Sequence, residues 1–330
     1  MTGALSAISP ARWAAMAVAV LLAAMLPLVY DDPYYMTIIV TAEIVAILNI
    51  SWSFVLGIAG VWNFGQLAIY ALGAYSAGWL FLHAGWVPAP LAILAGGLFS
   101  AAAAVLLAFP TLRLFGIYTS LLTFSFAQVV QYVALNDPGG LTGGSFGFPT
   151  VRGLFSNADQ TAFLRNYYWV GLATIVASCL AVAWLRQSRL GIALRSSRDA
   201  PAYTAARGVN PRAVRVAAFG LSGFLAGIAG SLYLCFQQSF TTSQMGLTPM
   251  SLDVTMLVIG GLGTVFGPLL GTAVLTVIQT WLIDYPAWQL TVLGAMLLVI
   301  VIFVPGGLVG AISRLVRRLS AWVAEDEQGR

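Results

Sequence analysis

The stretch Tyr35-Met-Thr-Ile-Ile-Val-Thr-Ala-Glu43-Ile-Val-Ala-Ile-Leu-Asn49-Ile-Ser-Trp-Ser-Phe-Val-Leu-Gly57 holds a single charged side chain, Glu43. A bilayer core about 30 Å thick is crossed by about 20 mostly apolar residues of helix. Lipid offers the backbone no hydrogen-bond partners, so a run this long and apolar reads as a transmembrane helix that satisfies its own amides and carbonyls.

The same ruler, moved outward from 35–57, finds runs at 13–30, 66–83, 88–109, 114–134, 167–185, 214–236, 251–268, 270–284 and 288–304. The expectation is an all-α polytopic membrane protein of about ten spans, with Gly/Pro-broken helices and both termini in the cytoplasm. Composition agrees: of 330 residues 60% are hydrophobic and 8% charged, against the roughly 25% charge of a soluble domain. One transmembrane domain, 1–310, would then carry a cytoplasmic segment at 186–213 and a tail at 311–330. Arg12 and the apolar run after it share features with a secretory signal. That run ends in Tyr30-Asp31-Asp32-Pro33 rather than at small residues, so an uncleaved first helix is expected.

Orientation comes from arginine, since the chain contains no lysine and all 15 basic residues are arginine. Seven of them (Arg186, Arg189, Arg195, Arg198, Arg207, Arg212 and Arg215) crowd into one loop segment, and Arg314, Arg317 and Arg318 follow the last run. Basic residues collect on the cytoplasmic side, which places these regions, Arg12 and Arg113 inside, and Asp31, Asp32, Asp137 and Asp159 outside. The net charge of +4 thus reads as a topology signal rather than as affinity for nucleic acid.

Several chemistries are excluded. A P-loop needs a lysine at the phosphates, and the Gly-rich stretch Asp137–Gly147 lacks one and falls in an outside loop. His83 is the one histidine, and Cys179 and Cys235 sit in apolar runs as buried thiols, so neither a metal cluster nor a nucleophile–base pair is expected. No bound metal, no cofactor and no enzymatic site are expected in this chain.

What remains is polar chemistry inside the spans. Glu43, Asn49, Ser125, Gln128 and Asp253 lie within apolar runs, and Asn63 and Gln66 lie in the glycine-punctuated break Gly57–Gln66. An ionisable group at the bilayer centre costs about 2.5–3.5 kcal/mol on insertion scales and usually faces a cavity or a partner. These residues therefore either line a solute path or tie helices together. Gly263, Gly267 and Gly271 recur four apart beside Pro268, and Ser222, Ala226 and Gly230 do the same. Small residues at that spacing permit close helix crossings, and Pro268 adds the possibility of a hinge. In the arginine-rich segment, Asp199 is placed to cap a short helix carrying Ala202, Ala205 and Ala206 and stopping at Gly208. Such a thin helix either enters another protein's groove or is a solvated loop that only sets topology.

At this segment the sequence resembles the permease subunits of ABC importers of the branched-chain amino-acid type, the LivM-like member of the LivH/LivM pair. Arg198–Asn210, Ala218–Tyr233 and the block Ser251–Gly271 with Gly260-Gly261-Leu-Gly263-Thr264 carry the resemblance, helped by Leu112–Tyr118 and Leu141–Gly144. It covers about residues 40–310. Two departures stand out: Phe115 replaces the family's usual second arginine, and the small-residue stretch after Gly65-Gln66-Leu67 is short.

The resemblance implies import of branched-chain amino acids or related small polar solutes such as amides and urea, across a bacterial cytoplasmic (inner) membrane. It implies a second homologous permease, two ATP-binding subunits that hold ATP and Mg, and an extracytoplasmic solute-binding protein. It assigns Arg195, Arg198, Asp199, Ala205, Ala206 and Gly208 to the ATPase-coupling loop. Glu43, Asn49, Asn63, Gln66, Ser125, Gln128, Asp253, Gly263, Gly267 and Pro268 are candidates for pathway and gating. The readings that compete with it are an ion-coupled secondary transporter with Glu43 as carrier, and a scaffold or receptor subunit without transport.

Overall fold

The computed structural model describes residues 32–311, apart from 85, 138–139, 149–152, 156–157 and 304–305. The expected span at 13–30 and the tail arginines lie outside the described residues. The rest is helical, in the order α1 Pro33–Ser53, α2 Gln66–His83, α3 Ala89–Thr111, α4 Ile117–Asn136, α5 Gln160–Gln187, α6 Arg189–Asp199, α7 Pro201–Ala206, α8 Pro211–Gln237, α9 Leu247–Gly260, α10 Gly267–Trp281 and α11 Pro286–Phe303.

Local chemistry starts these helices where it should. Proline at a first helical position fixes φ and forfeits an amide that has no partner anyway, and Pro33 and Pro211 occupy such positions. The preceding Asp32 carboxylate accepts the Tyr34 amide at 2.9 Å, and the Asn210 side chain accepts the amides of Arg212 and Ala213. The Ser188 hydroxyl accepts the Gly191 amide and starts α6.

Four segments, Pro33–Ile58, Ala89–Thr111, Gln160–Gln187 and Pro211–Gln237, are long and apolar enough to cross a membrane. Packing follows the logic of a helix bundle in lipid, with small residues between helices and large ones outside. On α3 the buried face is mostly small, Ala92, Gly96, Gly97, Ser100, Ala104 and Ala108, with Ile93 and Leu107 beside them, whereas Leu91, Leu94, Leu98 and Leu106 are exposed. Opposite it on α8, Gly223, Gly227 and Gly230 admit backbone: a Cβ on Gly230 would lie 1.9 Å from the Tyr70 carbonyl oxygen of α2. Ser231 Oγ donates to the Gly73 carbonyl and Ser100 Oγ to that of Ile69, fastening the same three-helix crossing. The small-residue stripe on α8 is therefore a packing surface.

The Gly/Pro-rich stretch corrects the expected boundaries. The sequence divides it into spans 251–268 and 270–284; the structure ends α9 at Gly260 and starts α10 at Gly267, with a turn at 261–266 between them. Gly260 packs against Gly267, and Gly271 against the Met256 carbonyl, so the two form an antiparallel hairpin. Gly263 is not part of the helical stripe. It sits in the turn with φ +75°, and Gly261 with φ +110°, a region that L side chains rarely adopt. Thr264 Oγ1 donates to the Gly261 carbonyl and accepts the Gly267 amide, closing the turn. Likewise α5 starts at Gln160 rather than 167, because its first turns carry polar residues that a hydropathy ruler skips.

The chain alternates between two ends of the bundle. Residues 57, 111–114, 198, 215 and 263 meet at one end, through Arg198 to Gly57, Gly57 to Gly263, and Arg215 to Thr111 and Leu114. At the other end the Phe148 amide donates to the Phe240 carbonyl at 2.6 Å, and Gln131 reaches the Thr242 carbonyl. The arginine-rich segment thus occupies a single end.

Candidate transport path and coupling face

The break between α1 and α2 is the centre of the polar architecture. The last turn of α1 widens into a π-helix at Phe54–Ile58, and Gly60 with φ +69° turns the chain back into the bundle. The returning strand places Asn63 and Gln66 at depth, both fully buried. Asn63 Nδ2 donates to Gln66 Oε1 at 2.9 Å, Gln66 Nε2 donates to Ser51 Oγ at 3.0 Å and reaches the Ser222 carbonyl at 3.5 Å, and the Phe64 amide donates to Thr123 Oγ1. Helices α1, α2, α4 and α8 are thereby joined by one polar chain. A buried amide in such a chain is costly to leave unpaired, which fixes the depth at which α2 begins.

Asn49 ties a second set together. Its Nδ2 donates to Thr272 Oγ1 on α10 at 3.0 Å and contacts the Met256 sulfur on α9 at 3.3 Å, while its Oδ1 is buried without a partner. Pro268 and Gly267, also buried, begin α10 on the far side of the hairpin turn. Glu43 lies further along α1, 8% exposed, with one carboxylate oxygen lacking a partner and Gly171 of α5 directly against it. Asp253 is buried on α9, within electrostatic range of Tyr70. Tyr70 belongs to an aromatic group with Tyr233, Phe240 and Tyr75, whose neighbouring ring centroids are 5.1–6.0 Å apart.

On α4 the expected polar face is divided. Gln128 is half-buried and Ser125 points outward, and it is Thr123, one of a buried row with Thr119 and Ala127, that joins the central polar chain. The small side chains of that row, four apart, were the available signal.

At the arginine-rich end α6 and α7 form a short elbow. The Asp199 cap expected from the sequence is not made: Asp199 ends α6 and pairs with Arg198 Nε at 2.8 Å, while Ala200 and Pro201 start α7 without a side-chain cap. Arg195 folds back, donating to the Gly191 carbonyl of its own helix and to the Arg186 carbonyl at the end of α5. Arg198 reaches out of the elbow. Its Nη1 donates to the Gly57 carbonyl at 2.7 Å, and its methylenes cover Gly60, where a Cβ would collide with them. Gly57 in turn touches Gly263 backbone to backbone, so closely that a Cβ on Gly57 would lie 2.1 Å from the Gly263 Cα. In α7, Ala205 and Ala206 are exposed, as are Tyr203 and Gly208, whose φ is +81°. The elbow is anchored to the π-turn and the hairpin turn and turns its small-residue helix outward.

The sequence matches a known family over most of its length: residues 34–301 fit the family model described as branched-chain amino acid transport system / permease component. The chain belongs to that family. Among curated relatives, it is 29% identical to the high-affinity branched-chain amino acid transport system permease protein LivM of Escherichia coli K12, over 86% of this chain and 71% of that protein. It is 30% identical to the LivM protein of Salmonella typhimurium over the same shares. The ribose import permease protein RbsC of Haemophilus influenzae is 26% identical over 70% of this chain and 71% of its own. No solved structure matches.

Within this permease family the Phe115 departure has a local meaning. The Arg215 guanidinium donates to the carbonyls of Thr111 and Leu114 and lies 6.0 Å from the Phe115 ring centroid. An aromatic face is attractive to that cation where a second arginine would repel it. Cys179 and Cys235 are both buried free thiols. Among the described residues no group of three or more His, Cys, Asp or Glu is placed to hold a metal.

Proposed function

We propose that the chain is the membrane-spanning permease subunit of an ABC importer for branched-chain amino acids or related small polar solutes, in a bacterial inner membrane. A second homologous permease, two ATPase subunits holding ATP and Mg²⁺, and an extracytoplasmic binding protein complete the machine. The observation that carries this reading is the exposed α6–α7 elbow hooked by Arg198 onto Gly57, and through Gly57 onto the turn of the α9–α10 hairpin.

The mechanism follows from that contact. An effector shifts a conformational equilibrium only by its differential affinity for the two states. ATP-driven closure of the ATPase pair would displace α7, and Arg198 would pull on a backbone carbonyl rather than on a side chain free to rotate. Displacement then reaches α1 and the hairpin, the elements that carry Glu43, Asn49 and Asp253. The buried polar chain through Asn63 and Gln66 ties the Ser51 end of α1 to α2, α4 and α8, as a frame against which the hairpin moves.

The test is Arg198→Ala in the complex reconstituted with its partner subunits. A charge-assisted hydrogen bond is worth about 1.5–3 kcal/mol, so solute-stimulated ATP hydrolysis and uptake should fall by roughly tenfold or more. Basal hydrolysis and assembly should persist. Stimulation equal to wild type would remove the coupling role. Purified chain alone accumulating solute down an ion gradient, and losing that ability in Glu43→Gln, would establish the secondary-transporter reading instead.

A further inference from the structure

We propose that this permease chain holds an anionic phospholipid at its arginine-rich end, with the headgroup phosphate between Arg113 and Arg212 and acyl chains along Phe109, Leu112 and Leu114. These residues, with Pro110, line a groove of about 590 Å³ where α3 ends, α4 begins and α8 enters the bundle. That volume lies in the range of small-molecule sites, about 300–1,000 Å³.

Three arginines surround this junction and they are used differently. Arg215 is consumed internally by the Thr111 and Leu114 carbonyls, closing the end of α3. Arg113 and Arg212 are exposed, and among the described residues their guanidinium groups make no hydrogen bond or ion pair. No acidic residue lines the groove. Two unpaired cations beside an apolar wall select an occupant that is both anionic and amphiphilic.

A phospholipid fits this better than a protein surface. The apolar wall does not stop at the groove: Leu106, Phe109, Phe115, Ile117, Tyr118 and Leu121 continue it up the exposed faces of α3 and α4, as a wall for acyl chains would. Basic pockets between transmembrane helices on the cytoplasmic side are the setting in which anionic headgroups bind. The inference rests on the chain being embedded with this end at headgroup depth, and not on which solute it carries.

The experiment uses the purified complex in nanodiscs of phosphatidylcholine alone or of equimolar phosphatidylcholine and phosphatidylglycerol, with native mass spectrometry of retained lipid. Wild type should retain phosphatidylglycerol in preference to phosphatidylcholine. Arg113→Gln/Arg212→Gln should weaken that retention by about fivefold per arginine, and Arg113→Lys/Arg212→Lys should keep it. Equal retention by wild type and the Gln variant, or no preference for phosphatidylglycerol in wild type, would overturn the site. So would a Gln variant that keeps the lipid but sheds the ATPase subunits, since the arginines would then face a protein. The wild-type lipid comparison decides even if the Gln variant does not assemble.

Discussion

Asp137 shows how much one side chain can organise. It follows α4 with φ +43°, and its carboxylate accepts the amides of Leu141 at 2.6 Å, Thr142 at 2.9 Å and Gly143 at 3.0 Å. These bonds, that from the Thr142 amide first, hold its pKa below the usual aspartate range, because an anion is the better acceptor. A depressed folded pKa means that the contribution is complete above the unfolded value, about 3.9, and is lost as pH falls through the lower folded value. Protection of the Leu141–Gly143 amides, relative to their intrinsic exchange rates, should therefore persist through the ordinary carboxylate range and be lost only below it. Asp137→Asn should exchange faster than wild type at every pH above that point; equal protection in the two would dissociate the loop's order from the charge. Gly57 is the opposite case, a residue whose value is the absence of a side chain. Gly57→Ala places a methyl on the Gly263 backbone, where no rotamer can yield. Overpacking costs about 1–3 kcal/mol, and the upper end is expected here, read as a lower midpoint of thermal unfolding in detergent.

Among elements, the α9–α10 hairpin is held to α1 through Asn49, which bonds Thr272 and meets Met256. Hydrogen bonds between helices in membranes average about 0.6 kcal/mol and reach about 1.7 kcal/mol. Asn49→Ala should lower stability by about that amount and reduce transport more than it reduces assembly; loss of both in parallel would assign Asn49 to packing alone. The sequence made some of these elements legible and hid others for identifiable reasons. Residues 66–83 were readable because apolar run and helix coincide. The break at Gly57–Gln66 was visible in its glycines, but its π-turn was not, since an i→i+5 bond pattern has no composition of its own. The bond from Arg198 to Gly57 needs that freed carbonyl and spans 141 positions, beyond any local spacing rule. Gly263, Gly267 and Gly271 read as one stripe because spacing alone does not say which glycine has positive φ. Of the candidate path, Asn63 and Gln66 are joined by direct bonds, while Glu43 and Asp253 lie apart on α1 and α9.

For the whole molecule, the alternation of the chain places Tyr203 at the arginine-rich end and Phe146, which is 98% exposed, at the other. The two native thiols are buried, so a single introduced cysteine reports on its own. In intact cells Phe146→Cys should react with a membrane-impermeant maleimide, and Tyr203→Cys should react only after the cytoplasmic face is opened. The reverse pattern would invert the topology assigned from arginine placement.

The packing of α3 has a practical consequence. Its closest contacts to α2 and α8 use alanine, glycine and serine, while Leu91, Leu94, Leu98 and Leu106 are exposed. Identity on the inner face and identity on the outer face are separable design variables. Leu91, Leu94 and Leu98 can be recoded, to glutamate or glutamine for extraction without detergent, with no change at the crossing that defines the fold. The same exchange made at Gly96 or Ser100 would dismantle it.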